Sequence, residues 1–181
     1  MQYTYAQTPR QLANVTDLKQ AFRLVSPQVR DAATQAAEQL ESLGVSYALA
    51  GGLAVAAHGY LRATDDVDFL VSDEAFEKRG QLVTFRAGMP IEVGGVRIDY
   101  LSPDALGDHV RTALGQKGLS VVPLDILIYM KLVARRRKDQ LDVVELLRRT
   151  TQLETVRAYL KTHAVDLLPL FEVLAAEALS D

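Results

Sequence analysis

Residues 47–71 read YALAGGLAVAAHGYLRATDDVDFLV, and the end of this stretch constrains the fold more than any other part of the chain. Val67–Val71 has the length and composition of a buried strand, yet Asp66 and Asp68 sit at alternate positions in it. In a strand, residues i and i+2 share a face. Both carboxylates therefore point one way, and Val67, Phe69 and Val71 point the other way into a core. Aspartate disfavours strands, and neighbouring like charges repel. The strand must belong to a sheet with one apolar face and one face that tolerates two adjacent negative charges.

Two environments meet that requirement. One is a sheet face open to water. The other is a divalent cation, since Mg²⁺ takes hard oxygen ligands and commonly binds through one or two carboxylates plus substrate phosphates. A third carboxylate favours the second. In Val96–Leu101, VRIDYL, Ile98 and Tyr100 share one face and Asp99 takes the other. If this strand neighbours the first, Asp66, Asp68 and Asp99 converge. Three carboxylates beside a phosphate-binding turn suit a two-metal site for phosphoryl or nucleotidyl transfer, with Asp99 placed to take a hydroxyl proton.

Such a turn is a candidate just upstream. Val45–Ala50 reads as a strand, Gly51-Gly52 follow, and Leu53–His58 reads as a short helix closed by Gly59. Glycine permits close backbone approach, and a helix start presents free N–H groups. The alternative is a tight strand-to-helix turn with no ligand. The pair matches neither a dinucleotide-binding nor a Gly-Lys-Ser/Thr pattern.

The rest of the chain fits one compact unit. Ser26-Pro27 reads as a helix start, with a stop at Gly44. Residues 1–15 read as an arm, and Thr16 as the cap of a helix over 17–24. Ser72-Asp73 resembles a cap leading into a helix over 74–79, and 82–85 reads as extended. Gly94-Gly95 between alternating runs predicts a hairpin. Helices are expected over 104–114, 124–137, 139–149, 152–162 and 165–179, with a short strand at 119–122. The fold class is α+β, a small mixed sheet flanked by helices with a helical C-terminal part. The expected division is 1–25 for arm and short helix, 26–137 for the core, and 138–181 for a helical extension of the same unit.

Composition narrows the function. In 181 residues, 49% are hydrophobic and 24% charged, which permits a core. A net charge of -3 gives no general pull toward nucleic acid or anionic membrane. There is no cysteine, hence no disulfide and no thiolate metal site. No apolar run approaches the roughly 18–20 residues of a membrane span. No basic and apolar leader opens the sequence. A soluble cytoplasmic protein without membrane contact is expected.

Taken together, Gly51-Gly52, thirteen intervening residues, Asp66-x-Asp68 and a later strand aspartate, Asp99, resemble the nucleotidyltransferase fold of the DNA polymerase β superfamily. The string LAGGLAVAAHGYLRATDDVDFLV is similar to the small prokaryotic branch of AbiEii/AbiGii toxin-type and minimal nucleotidyltransferases. LDILIYMKLVARRRKDQLDVVELL resembles that branch's helical signature, a lysine in an apolar helix followed by a basic stretch and Asp-x-x-Asp. The resemblance covers roughly residues 45–148. It implies an enzyme using Mg²⁺ or Mn²⁺ and an NTP, with Asp66, Asp68 and Asp99 as metal ligands and Gly51 and Gly52 at the phosphates. It implies an RNA or protein acceptor and a cognate toxin or antitoxin partner. Many relatives carry serine after the first glycine, where this chain has Gly52.

Further residues have two readings each. Arg62 and Thr64 lie beside both site elements, and Arg62 suits a phosphate or is a surface arginine. His58 suits a cap or packing role. Lys131 shares a helical face with Leu124, Leu127 and Ile128, and its amine needs a partner, which a triphosphate would supply, or a route to water. The ARRRKD stretch suits an acceptor, or is a helix end where positive charge meets the dipole. Asp139 and Asp142 are one turn apart and suit bracing Arg135 or Lys138. A rival to the enzyme is a non-catalytic nucleotide- or partner-binding module of the same fold, and a small-molecule acceptor such as an antibiotic is a further alternative.

Overall fold

The computed structural model describes residues 18–115 and 118–180. The arm over 1–15 and the cap at Thr16 fall outside them. Alternating sequence becomes a four-stranded mixed sheet. Its strands are β1 (Tyr47–Leu49), β2 (Asp66–Val71), β5 (Glu92–Val93) and β6 (Val96–Leu101), in the order β1-β2-β6-β5. β1 runs antiparallel to β2, β2 runs parallel to β6, and β5 and β6 form the hairpin expected at Gly94-Gly95. A parallel pair needs a crossover of a dozen or more residues, commonly a helix. Here the crossover holds a second hairpin, β3 (Phe76–Arg79) and β4 (Leu82–Phe85), paired antiparallel.

The two sheet faces are covered differently. On one face lies helix α2 (Pro27–Ser42), capped by Ser26, whose hydroxyl accepts from Val29 N at 3.2 Å. Val29, Ala33, Ala36 and Leu40 repeat at helical spacing and pack on Val67, Phe69, Val71 and Ile98. Phe69 is fully buried, a burial of about 1.5–3 kcal/mol. The other face is covered by α3 (Gly51–Ala57) and by the helical layer α5 (Leu124–Ala134), α6 (Arg137–Arg149), α7 (Leu153–His163) and α8 (Leu168–Leu179). Ala48 and Leu70 pack into this layer. Asp66 and Asp68 lie on the same face as Leu70, further toward the strand's start, and are only partly covered. α1 (Leu18–Leu24) and α4 (Pro103–Leu106) complete the helices.

Several sequence expectations differ from the structure. The helix over 74–79 is instead a 3-10 turn, Asp73–Ala75, followed by β3. The Ser72 hydroxyl is not a helix cap, because it accepts from Ser46 N at 3.0 Å and ties β2 to the start of β1. Gly80, at φ +65, lets the chain turn back so that Phe76 pairs with Phe85. The helix over 104–114 breaks at Gly107, at φ +100, into α4 and a 3-10 helix Asp108–Ala113. The strand at 119–122 is a single parallel bridge, Leu49 to Val121. The helix over 124–137 ends at Ala134, because Arg135 is left-handed at φ +56 and α6 starts afresh at Arg137.

Among the described residues Arg135 is the one non-glycine with positive φ. It lacks glycine's conformational freedom, yet its N–H donates to Lys131 O at 3.2 Å and closes α5. A left-handed L-residue costs roughly 1–2 kcal/mol, partly offset in glycine by unfolded-chain entropy. Arg135→Gly should therefore raise stability by about 0.5–1 kcal/mol, and Arg135→Val should lower it. Urea denaturation of the three proteins checks this.

Candidate active site

The register of β2 and β6 sets Asp68 directly beside Asp99, and Asp66 beside Arg97. Neighbouring residues of a ladder share a face, so Asp66, Asp68, Arg97 and Asp99 all project from one side of two adjacent strands. They line one wall of a cleft of about 410 Å³. Gly51, Gly52 and Thr64 lie beside them. The opposite wall comes from α5 and the α5–α6 junction, with Met130, Lys131, Arg136, Lys138 and Asp139. The volume is within the range of small-molecule sites.

The carboxylates are held in different ways. Arg97 Nη2 lies 2.9 Å from Asp99 Oδ2 and 3.2 Å from Asp66 Oδ2, so one guanidinium bridges both. Thr64 Oγ1 lies 3.1 Å from Asp66 Oδ1 and donates to it. Asp68 faces α3 and accepts from the Gly52 N–H. Burial, then the charges of Asp66 and Asp99, push the Asp68 carboxyl above its ordinary value, against the pull of Lys131 and that N–H. As the side chains stand, no three His, Cys, Asp or Glu among the described residues form a closed metal-holding group. The backbone brings the three aspartates to one wall, where Arg97 pairs with Asp66 and Asp99 and the Gly52 N–H donates to Asp68.

The glycine pair is explained first by these neighbours. A Cβ on Gly51 would fall 1.7 Å from Asp68 Oδ2, and Gly51 is at φ +54. A Cβ on Gly52 would fall 2.4 Å from Thr64 Oγ1. What approaches these backbones so closely is the protein's own carboxylate and hydroxyl.

Lys131 and Arg62 find protein partners that the sequence did not reveal. Lys131 is buried, with Nζ 2.8 Å from Asp139 Oδ1 and 2.7 Å from Asp142 Oδ2. Arg62 donates to both Asp142 oxygens, at 2.7 and 3.0 Å, and its Nη1 donates to Ala63 O. Arg136 Nε donates to Asp139 Oδ2 at 2.6 Å. Asp139 and Asp142 therefore brace Lys131, Arg62 and Arg136 rather than Arg135 or Lys138. Burial raises the Asp139 carboxyl, but hydrogen bonds from Arg136 and Lys131 outweigh it and hold it below the ordinary range. Three cations share two carboxylates, which leaves this wall net positive opposite the acidic one. His58 lies at the far end of α3, with Nε2 2.9 Å from Val122 O, apart from the cleft.

Arg97 is a site residue that the sequence pattern already marks. It stands two residues before Asp99 in an alternating strand, so the logic that placed Asp99 on the open face places Arg97 there too. The Arg62–Asp142 contact joins residues 80 apart, and no local pattern signals it.

Two outcomes are expected. Because the Asp68 carboxyl is raised, its contribution to stability is complete below its unfolded value near 3.8 and is lost as pH rises through the folded value. Asp68→Asn should melt above the wild type at pH 7, with the gap closing as pH falls toward 4. Thermal melts of both proteins across that range check it. In the ion network, Asp142→Ala should cost about 3–5 kcal/mol, since it strips a partner from buried Lys131 and from Arg62. Lys131→Met should cost less, because each carboxylate keeps an arginine. Paired urea titrations would show that order or its reverse.

No protein-family model matches this sequence, and no curated protein matches it. Among solved structures the chain is similar to an antigenic nucleotidyltransferase-like protein from Paracoccidioides brasiliensis. The identity is 16% and the TM-score 0.40, over 81% of this chain and 95% of that chain. Values this low assign no family. No helix among the described residues is long and apolar enough to cross a membrane.

Proposed function

We propose that this chain is a divalent-metal-dependent nucleotidyltransferase that moves an NMP from an NTP to a hydroxyl of a macromolecular acceptor. The observation that carries the reading is the β2–β6 register. It sets Asp68 beside Asp99, with Asp66 on the same face, at a cleft whose far wall is cationic. The donor set fits the group: three carboxylates are hard oxygen ligands. A cationic nitrogen between Asp66 and Asp99 marks a position where positive charge is already stabilised. Asp66, Asp68 and Asp99 would hold the metal after side-chain rotation toward one another. When bound, Mg²⁺ or Mn²⁺ would neutralise the acidic wall, acidify the acceptor hydroxyl and stabilise the leaving pyrophosphate.

The chain's own residues would do the rest. Asp99, whose side chain is more open than that of Asp66, would accept the acceptor's hydroxyl proton. Thr64 would keep Asp66 oriented through its hydroxyl. Arg136 and Lys138, at the mouth of the positive wall, would attract nucleotide phosphates. Lys131 and Arg62 would support that wall through Asp139 and Asp142, with Lys131 near enough to Asp68 to favour its ionised form. Gly51 and Gly52 would admit the triphosphate beside the carboxylates. A tRNA 3′ end or a protein side chain as acceptor, and a toxin–antitoxin or phage-defence setting with a cognate partner, rest on the sequence resemblance.

The test is label transfer. With α-labelled NTPs, Mg²⁺ and total RNA or cell extract protein, the wild type should label one acceptor class. Asp66→Ala and Asp99→Ala should each reduce transfer by on the order of 10²-fold or more. Saturable nucleotide binding without transfer to any acceptor would point instead to a non-catalytic binding module.

A further inference from the structure

Among the described residues Arg97 is the cation that forms ion pairs with the acidic wall, and the nucleotidyl-transfer chemistry gives it no task. Its placement is fixed by the fold. It lies opposite Asp66 in the parallel ladder and two residues before Asp99 on the same face. Its Nη2 therefore reaches both carboxylates from β6 without leaving the strand's own surface. Asp66 and Asp99 belong to different strands, so a single nitrogen between them does what a bridging cation would do. It lowers their mutual repulsion and holds the strands' open faces together. The side chain is nevertheless 67% exposed, so it has room to leave. The two carboxylate oxygens that converge on Nη2 are engaged by the guanidinium where a shared metal would need them, and no closed metal-holding group forms among the described residues.

We infer that Arg97 is an internal counter-cation that competes with the divalent metal for Asp66 and Asp99, so that the site takes up metal weakly until the guanidinium swings out. This rests on the proposed reading of the three aspartates as metal ligands. Competition follows from simple linkage. A group that stabilises only the metal-free arrangement weakens metal affinity by the factor it contributes to that arrangement. Once released, Arg97 stands at the cleft mouth, carrying a charge suited to a nucleotide phosphate. Metal arriving with nucleotide would then be favoured over metal alone, since the phosphates offer the guanidinium a second partner.

The test is Mn²⁺ binding to the full chain without nucleotide, followed by the electron paramagnetic resonance signal of free Mn²⁺. Wild type, Arg97→Ala, Arg97→Lys and Asp66→Asn/Asp99→Asn are compared, with circular dichroism to establish that each is folded. Arg97→Ala should bind Mn²⁺ more tightly by on the order of tenfold, the scale set by two partly exposed ion pairs. Arg97→Lys, which keeps the charge, should stay near the wild type. The double aspartate variant should lose the site. Arg97→Ala binding equal to or weaker than the wild type overturns the competition, while binding that still depends on Asp66 and Asp99 leaves the metal-site reading intact. No aspartate-dependent Mn²⁺ binding in either wild type or Arg97→Ala overturns both.

Discussion

The parallel pairing of β2 with β6 is the constraint on which the rest depends. It sets carboxylates side by side on adjacent strands, where in isolation they would repel. Everything nearby makes that placement tolerable. Arg97 bridges two of the carboxylates, Thr64 steadies one, and the Gly52 N–H donates to the third. The apolar side of the same strands is sealed on α2, which fixes which side chains face out. A one-residue slip would reverse every one of these assignments, burying the carboxylates and exposing Phe69.

The opposite wall is built by another unfavourable arrangement made stable. Lys131 is buried on an apolar helix, and taking its charge out of water is costly unless partners are close. The left-handed Arg135 supplies the geometry. It ends α5 one turn past Lys131 and starts α6 at an angle that returns Asp139 and Asp142 to the amine. Arg62, from the segment leading into β2, then clasps Asp142. The two walls are thus connected. The loop before the metal-candidate strand is tied to the helix facing it, and the width of the cleft is held by an ion network rather than by apolar packing alone.

Much of this was legible in the sequence, and the remainder has a physical reason for being hidden. Alternation in DVDFLV and VRIDYL was enough to assign faces, because period-2 patterning survives in any sheet with one buried side. The glycine pair marked the right turn, but its immediate cause is Asp68 and Thr64, which only tertiary structure brings there. The helix expected over 74–79 failed because Ser72, a good cap by type, spends its hydroxyl on Ser46. The helix expected over 124–137 stopped short because arginine is an ordinary helix former, and nothing in ARRRKD announces a left-handed residue. Partners of Lys131 and Arg62 were out of reach because ion pairs across the fold leave no periodic trace.

The central claim is that Asp66, Asp68 and Asp99 gather on one divalent cation beside a nucleotide. Anomalous diffraction from crystals grown with Mn²⁺ and a non-hydrolysable NTP analogue tests it most directly. An anomalous peak is expected within about 2.0–2.6 Å of oxygens from all three carboxylates, with Arg97 withdrawn from Asp66 and Asp99. A nucleotide bound without a peak at these residues, or a peak ligated elsewhere, would contradict it.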